Sequence, residues 1–331
     1  MNNDRYSVAP GSLVQQIDVL WRRQCDEWKL LRAGRADLHA ARTRMFDLGG
    51  SHVIAQCNPS RVKSAAAKVD AGTLAARPCF LCDENRPIEQ RYVLYRGNWK
   101  VLCNPAPIFD PHFTIVWAVH EPQRIRSALG TMLDLAADLE SRYTVFYNGP
   151  SSGASAPDHL HLQASPVGGT PVETELASAL CAERGNNGQS WIEWVRRAPA
   201  HVGVSRPGRR PTIVMTGADR QAILAGAEEV LAGLEAVHPA QPEPMVNLFV
   251  TSADDHWVLW MFPRQAHRPS CYGHEPDHYL VSPGAVDLAG LLITPRPEDF
   301  ERLDAGTIHA IYDDVSLSPE KFGLLRDHLR R

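Results

Sequence analysis

The chain has 331 residues, with 34 Lys and Arg against 38 Asp and Glu for a formal charge of -4. Apolar residues at 44% and charged residues at 22% are the proportions of a soluble globular protein and exclude a largely disordered or fibrous chain. The mildly acidic balance gives no electrostatic case for a nucleic-acid partner, and at roughly 150 residues per domain the length predicts two domains or one large one.

Seven cysteines is an odd number, in a chain too long to need disulfide staples. Met1 to Arg5 have no apolar core behind them, so no secretory signal is read there. No stretch approaches the roughly 18 apolar residues of a membrane span. The expectation is a cytoplasmic protein that meets no membrane.

In chain order, Leu13, Ile17, Leu20, Trp21, Trp28 and Leu31 recur at helical spacing and predict a helix over 12–33. Residues 52–57 read as a strand ended by Asn58-Pro59. A small-residue, basic stretch runs from Arg61 to Lys68, and Arg77 to Cys82 reads as a compact loop. Strands are predicted over 91–103 and 112–119, a helix over 123–142, and a strand from Thr144 to Tyr147. Further on come an apolar run at 211–216, a helix over 217–237 and a proline-rich connection from Pro239 to Pro244. Strands at about 245–251 and 256–262 and helices at about 297–311 and 318–330 close the chain. The segment from His112 to Gln123 resembles the one from His256 to Pro269, each an apolar strand followed by His and Pro. Two unrelated strands with similar ends, or a duplicated α+β half, both fit that likeness.

The densest polar string is 148–163, in which Asn148-Gly149 opens a Gly/Ser loop that leads to His159-Leu160-His161-Leu162-Gln163. Strand alternation puts His159, His161 and Gln163 on one face and sends Leu160 and Leu162 to the core. Three such polar side chains in a row are costly to bury unpaired, which marks a site rather than packing. The loop's N–H groups and the hydroxyls of Ser151, Ser152 and Ser155 suit phosphate oxygens.

Asn-Gly-x-x-x-Gly-x-Ser followed by His-x-His-x-Gln resembles the signature of the transferase branch of the histidine-triad superfamily. That branch comprises galactose-1-phosphate uridylyltransferases, ATP adenylyltransferases (diadenosine-tetraphosphate phosphorylases) and GDP-hexose phosphorylases. The chain is also similar to an uncharacterised bacterial family carrying this signature, a Cys-Phe-Leu-Cys segment, and a Phe-Pro-Arg-x-x-His-Arg-Pro segment, here Phe262 to Pro269. The resemblance implies an α+β fold of two related halves, each with antiparallel sheet and flanking helices. The division would be 1–75 as an N-terminal helix and strand region, 76–200 as the histidine-triad half, and 201–331 as a second, degenerate half.

The activity implied is nucleotidyl transfer. His161 would attack the α-phosphorus of a nucleoside diphosphate sugar or dinucleoside polyphosphate and form a nucleotidyl-histidine, and phosphate or a sugar phosphate would then accept the nucleotide. A neutral imidazole suits that role near pH 7. Gln163 would donate to the phosphoryl oxygens, and Asn148 and Ser155, with Ser151 and Ser152, would hold them. Phosphoryl transfer needs neutralising cations, for which Arg61, Lys63 and Lys68 are the first-half candidates and Arg264 and Arg268, with His267, the second-half ones. Gln cannot act as a general acid or base, which favours a transferase over a hydrolase. This sequence departs from the uridylyltransferases at Asp158, which intervenes between Pro157 and His159 and either caps the loop or orients an imidazole.

Cys79 and Cys82, spaced as Cys-x-x-Cys, suit a metal or a redox pair. The resemblance adds His120 and His159 as two further ligands, which would complete a closed tetrahedral structural zinc site. His112 then supports the site or faces the substrate, and Cys25, Cys57, Cys103, Cys181 and Cys271 read as buried small residues. Two rival readings are a histidine-triad-type hydrolase and a non-enzymatic, zinc-stabilised nucleotide binder. Relatives of this kind often form homodimers.

Overall fold

Ser12 accepts a hydrogen bond from the Gln15 N–H while the Gln15 side chain reaches back to the Ser12 N–H. This capping box starts α1 (Leu13–Glu27) in the computed structural model, which describes residues 11–67, 69–185, 190–240 and 242–331. The single helix expected over 12–33 breaks at Trp28, whose extended backbone angles hand the chain to α2 (Lys29–His39). Next come β1 (Arg42–Asp47), β2 (His52–Cys57), a 3-10 turn (Pro59–Arg61), and the short helices α3 (Val62–Ala65) and α4 (Ala71–Ala76).

The strand expected over 91–103 is a hairpin of β3 (Tyr92–Tyr95) and β4 (Trp99–Cys103). Arg96 and Gly97 turn it with φ of 44° and 79°, and periodicity alone could not show this because both arms are apolar. The first half continues with β5 (Phe113–Trp117), α5 (Ile125–Asp138), β6 (Tyr143–Asn148), β7 (His161–Pro166) and α6 (Pro171–Gly185). The second adds β8 (Ile192–Arg196), β9 (His201–Ser205), β10 (Ile213–Gly217), α7 (Arg220–Val237), β11 (Val246–Ala253), β12 (His256–Pro263), α8 (Ala285–Leu288) and β13 (Leu291–Thr294). The helix expected over 297–311 is two, α9 (Pro297–Arg302) and α10 (Ala305–Val315), because Asp304 caps a new N-terminus on the Thr307 N–H. Helix α11 (Pro319–Leu329) closes the chain.

Ten strands form one sheet in the order β3-β4-β5-β7-β6-β11-β12-β10-β9-β8, paired antiparallel throughout. Each half has the same plan: three strands, a helix, then two strands of which the later lies beside the third. The halves meet where β6 pairs antiparallel with β11. The two halves therefore repeat one topology, but the segments matched by sequence are not equivalent. Strand β5 precedes the helix of its half and β12 follows the helix of the other. Strand β13 pairs in parallel with β2 in a separate sheet, β1-β2-β13, which ties the N-terminal strands to the last third of the chain.

Alternation along the strands fills both faces of the large sheet. Val145, Tyr147, Leu162 and Ala164 pack with residues of α1, α5, α7 and α11 on one side. Phe146, Phe249, Trp260 and Phe262 pack with residues of α8, α9 and α10 on the other. Burial of these two apolar layers, at roughly 25 cal/mol per Å², holds the sheet between its two sets of helices.

Candidate active site

Strands β6 and β7 pair from Tyr143↔Pro166 to Phe146↔Gln163 and then separate. Gln123 fills the gap between them. Its Nε2 donates to the carbonyls of Asn148 (3.0 Å) and His161 (2.9 Å), and its Oε1 accepts the His161 N–H (2.8 Å). The splayed strand ends leave room for the loop 149–160. Gly153 (φ 91°) is required there, since a Cβ would stand 2.7 Å from the Gly284 Cα.

His161 is 5% exposed and borders a cavity of about 600 Å³. Its Nδ1–H donates to the His159 carbonyl at 2.8 Å, which leaves the Nε2 lone pair for the cavity. Burial pushes its imidazole down to about 4, so the ring is neutral near pH 7. Gln163 borders the same cavity and its orientation is fixed from behind. His112, fully buried, accepts the Ile108 N–H at Nδ1 (3.3 Å), so its proton is on Nε2, which donates to Gln163 Oε1 at 2.9 Å. The Gln163 NH2 is then the end turned to the cavity. His112 itself does not line the cavity, and burial pushes its imidazole down to about 3. Asn148 is set the same way: its Oδ1 accepts the Ala285 N–H (2.7 Å) and the Asn247 amide (3.0 Å), which leaves its NH2 as the cavity donor.

Arg61 and Lys63 line the cavity, as does Ser155, whose carbonyl accepts from Arg77. Burial lowers the Arg61 pKa, and the Asp287 carboxyl works against that shift. Lys68 and the side chain of Cys181 lie outside the described residues. Five residues expected at the cavity lie elsewhere. Arg264 is fully buried, and all five of its N–H groups are taken: by the carbonyls of Val315, Pro283, Ala266 and His267 and by Asn247 Oδ1. It has no donor left for a phosphate and instead anchors Asn247 beside Asn148. Arg268 donates to the carbonyls of Ala65 and Ala67 and stacks 4.0 Å over Tyr272, so it supports the cavity wall from outside. Ser151 and Ser152 do not line the cavity; Ser152 is fully buried. His267 also stays out of it, bonded to the Ser151 backbone.

Asp158 pairs with Arg77 at 3.2 Å, so it anchors the loop to the Cys-x-x-Cys segment rather than orienting an imidazole. Cys79, Cys82, His120 and His159 converge there, with their ligand atoms within 4.8 Å of one another. His159 Nε2–H donates to the Trp117 carbonyl (2.9 Å), which leaves Nδ1 facing Cys79 Sγ (3.3 Å) and Cys82 Sγ (3.5 Å). His120 Nδ1 stands 3.3 Å from Cys82 Sγ. Bond lengths of about 2.3 Å to sulfur and 2.0 Å to nitrogen give tetrahedral S···N edges of roughly 3.5 Å, so this set can hold a metal ion. His159 thus turns away from the cavity that His161 borders. Its ring precedes β7, outside the alternation that was expected to carry it. Among the other cysteines, Cys57 and Cys103 are buried and Cys25 and Cys271 half-buried.

Sequence reasoning missed Gln123, Arg77, Asn104, Thr114 and Asp287. The last four line the cavity. Only Thr114 offered a signal, on the strand that carries it: it alternates with Phe113 and Ile115 and pairs with Gln163, so it faces the same way.

A family described as a domain of unknown function (DUF4922) matches residues 20–166. No curated protein matches. Among solved structures, yeast Ap4A phosphorylase Apa2 in complex with Ap4A superposes with a TM-score of 0.59 at 16% identity, covering 93% of this chain and 98% of that one. The same protein in complex with AMP gives 0.57 at 17% identity, covering 90% and 97%. A uridylyltransferase is a more distant likeness at 0.39 and 12% identity, covering 76% and 91%. The chain shares the fold of the phosphorylase nearly end to end, and that fold is the α+β, two-half architecture expected from the sequence.

Proposed function

We propose that the protein is a nucleotidyltransferase of the phosphorylase type, acting on a nucleoside diphosphate sugar or a dinucleoside polyphosphate. The observation that carries this reading is the His161 ring. Its Nδ1 proton is committed to a carbonyl, and its bare Nε2 borders a cavity edged by the amides of Asn148 and Gln163 and by Arg61. In the first step Nε2 bonds to the α-phosphorus, and the bond from that phosphorus to its bridging oxygen breaks, its electron pair leaving with the departing phosphate group. In the second step an oxygen of inorganic phosphate or a sugar phosphate bonds to the same phosphorus, the P–N bond breaks, and His161 returns neutral. The amide donors and Arg61 hold the phosphoryl oxygens through both steps. Gln163 offers no proton to a water, which favours transfer over hydrolysis. The likeness of fold to Ap4A phosphorylase supports the same reading.

Zinc is the metal whose geometry and ligand preference suit two thiolates and two imidazoles. Its role is structural: it ties the segment 79–82 to the strand end that carries His161, and the chemistry needs no open coordination position.

The test is incubation with α-labelled substrate, then denaturation. Label bound to the wild-type protein, absent from His161→Ala and discharged as nucleoside diphosphate only when phosphate is added, is the expected result. Release of nucleoside monophosphate without phosphate would make the protein a hydrolase. Tight binding without covalent label would make it a non-enzymatic binder. Full turnover by His161→Ala would overturn the reading.

A further inference from the structure

A second cavity, of about 590 Å³, lies between the loop that joins β9 to β10 and the helices α10 and α11. It is separated from the first where Tyr312 donates its hydroxyl to the Asp287 carbonyl. Four arginines line it, Arg206, Arg209, Arg210 and Arg326, against the single carboxylate of Asp313. Two of its groups are buried without a hydrogen-bond partner among the described residues. Ser316 is 2% exposed, and its Oγ has none. Arg210 lies 4.5 Å over the Tyr312 ring, and its Nε and Nη1 have none. Arg209 spends one donor on Ser51 Oγ, and Arg206 its Nε on the Ser190 carbonyl. Arg326 makes a 3.5 Å contact with Asp327.

A buried polar atom left without a partner is costly, and a native site of this kind is completed by something from outside. An excess of guanidinium calls for an anion, and the forked donors of arginine match phosphate oxygens. Beside Ser51, Ser205 and His309, the wall has an apolar part made by Leu48, Leu317, Pro319 and Phe322. A bare inorganic ion would leave that wall unused, whereas ligand cavities of this size combine an apolar body with a few placed polar groups. We propose that this cavity is a second binding site, for a phosphate monoester with an aromatic or apolar body of nucleoside size. Arg209, Arg210 and Ser316 take the phosphate, and Phe322 and Leu317 take the body.

Hydrogen exchange with adenosine 5′-monophosphate as the probe reads this site separately from the first cavity. Millimolar nucleotide is expected to slow exchange in peptides spanning 204–212 and 309–326. The double variant Arg209→Gln/Arg210→Gln is expected to lose that protection and to keep whatever protection the probe gives residues 148–163. Ser316→Ala removes only a partnerless hydroxyl, so its melting midpoint should match wild type while the midpoint of probe-induced protection shifts about tenfold to weaker binding. Adenosine without its phosphate should protect neither peptide. The proposal is overturned if the nucleotide leaves both peptides unprotected, if the double variant is protected as well as wild type, if Ser316→Ala binds unchanged, or if adenosine serves equally. None of these outcomes depends on His161 or on turnover.

Discussion

Replacing Gln123 by Leu tests whether one side chain sets the spacing of the site. Gln123 is fully buried and stands in for a stretch of strand pairing. It meets three main-chain groups, the Asn148 carbonyl and both the carbonyl and the N–H of His161, at 2.8–3.0 Å. Leucine keeps most of the volume and orphans all three. At a net of about 1 kcal/mol per bond, with an added penalty for groups that stay buried, the loss comes to about 3–5 kcal/mol. For a chain of this size that lowers the melting midpoint by about 4–7 °C. Gln123→Glu sharpens the test. Its carboxylate would accept the His161 N–H but face two carbonyl oxygens, so the folded-state pKa rises above the ordinary 4.3. A raised carboxyl stabilises the fold below the unfolded pKa, and that stability is lost as pH rises through the folded pKa. Urea titrations of the three proteins from pH 4 to pH 8 measure both effects. A Gln123→Leu protein within about 1 kcal/mol of wild type, or a Gln123→Glu protein whose stability does not fall with pH, would refute the account of the splayed strands.

His112→Phe keeps the stack on Phe146 and removes a buried imidazole pushed down to about 3. A depressed histidine contributes stability above pH 6.5 that is lost as pH falls, at about 1.4 kcal/mol per pH unit between roughly pH 6 and 4. Urea titrations should show that slope reduced in the variant, and an unchanged slope would count against a neutral His112. Gly153→Ala forces a methyl to within 2.7 Å of Gly284 at a φ of 91°. A cost of about 2–4 kcal/mol is expected, and a protein of wild-type melting behaviour would show that the loop is free to shift. Arg264→Met strands four carbonyls and Asn247, so it should destabilise by about 3–5 kcal/mol, measurable by urea unfolding; a mild effect would reopen Arg264 as a substrate group. Protein purified without added metal should carry one zinc, and Cys79→Ser should lose it and melt lower. Metal-free wild type of equal stability would remove the structural role.

The site was legible where local spacing alone decides geometry. Asn148, Ser155, His161 and Gln163 stand within sixteen residues on two adjacent strands and the loop that joins them, and period-2 alternation aimed His161 and Gln163 at the same cavity. The Cys79, Cys82, His120 and His159 cluster came from family likeness, since no local rule joins residues up to 80 positions apart. Arg264 misled for an instructive reason. In sequence, an arginine that feeds phosphate and one that feeds carbonyls look alike, and only its burial among five acceptors separates them. Gln123 was invisible because its role depends on two strands parting. The hairpin β3–β4 was missed because both of its arms are apolar, so the pattern does not show where one strand ends and the next begins.

The pairing of β6 with β11 has one more consequence. A single half of this chain would end in a naked strand edge, open to pairing with another copy of itself. Joining two halves in one polypeptide closes that edge from within, at an effective concentration no free partner could match. The histidine string lies in one half, and the other forms a counterpart wall, lending Asn247 and the backbone of Ala285 to hold Asn148 in place. Covalent linkage thus lets the two edges meet without being identical, so that one half can brace the other's loop with side chains of its own.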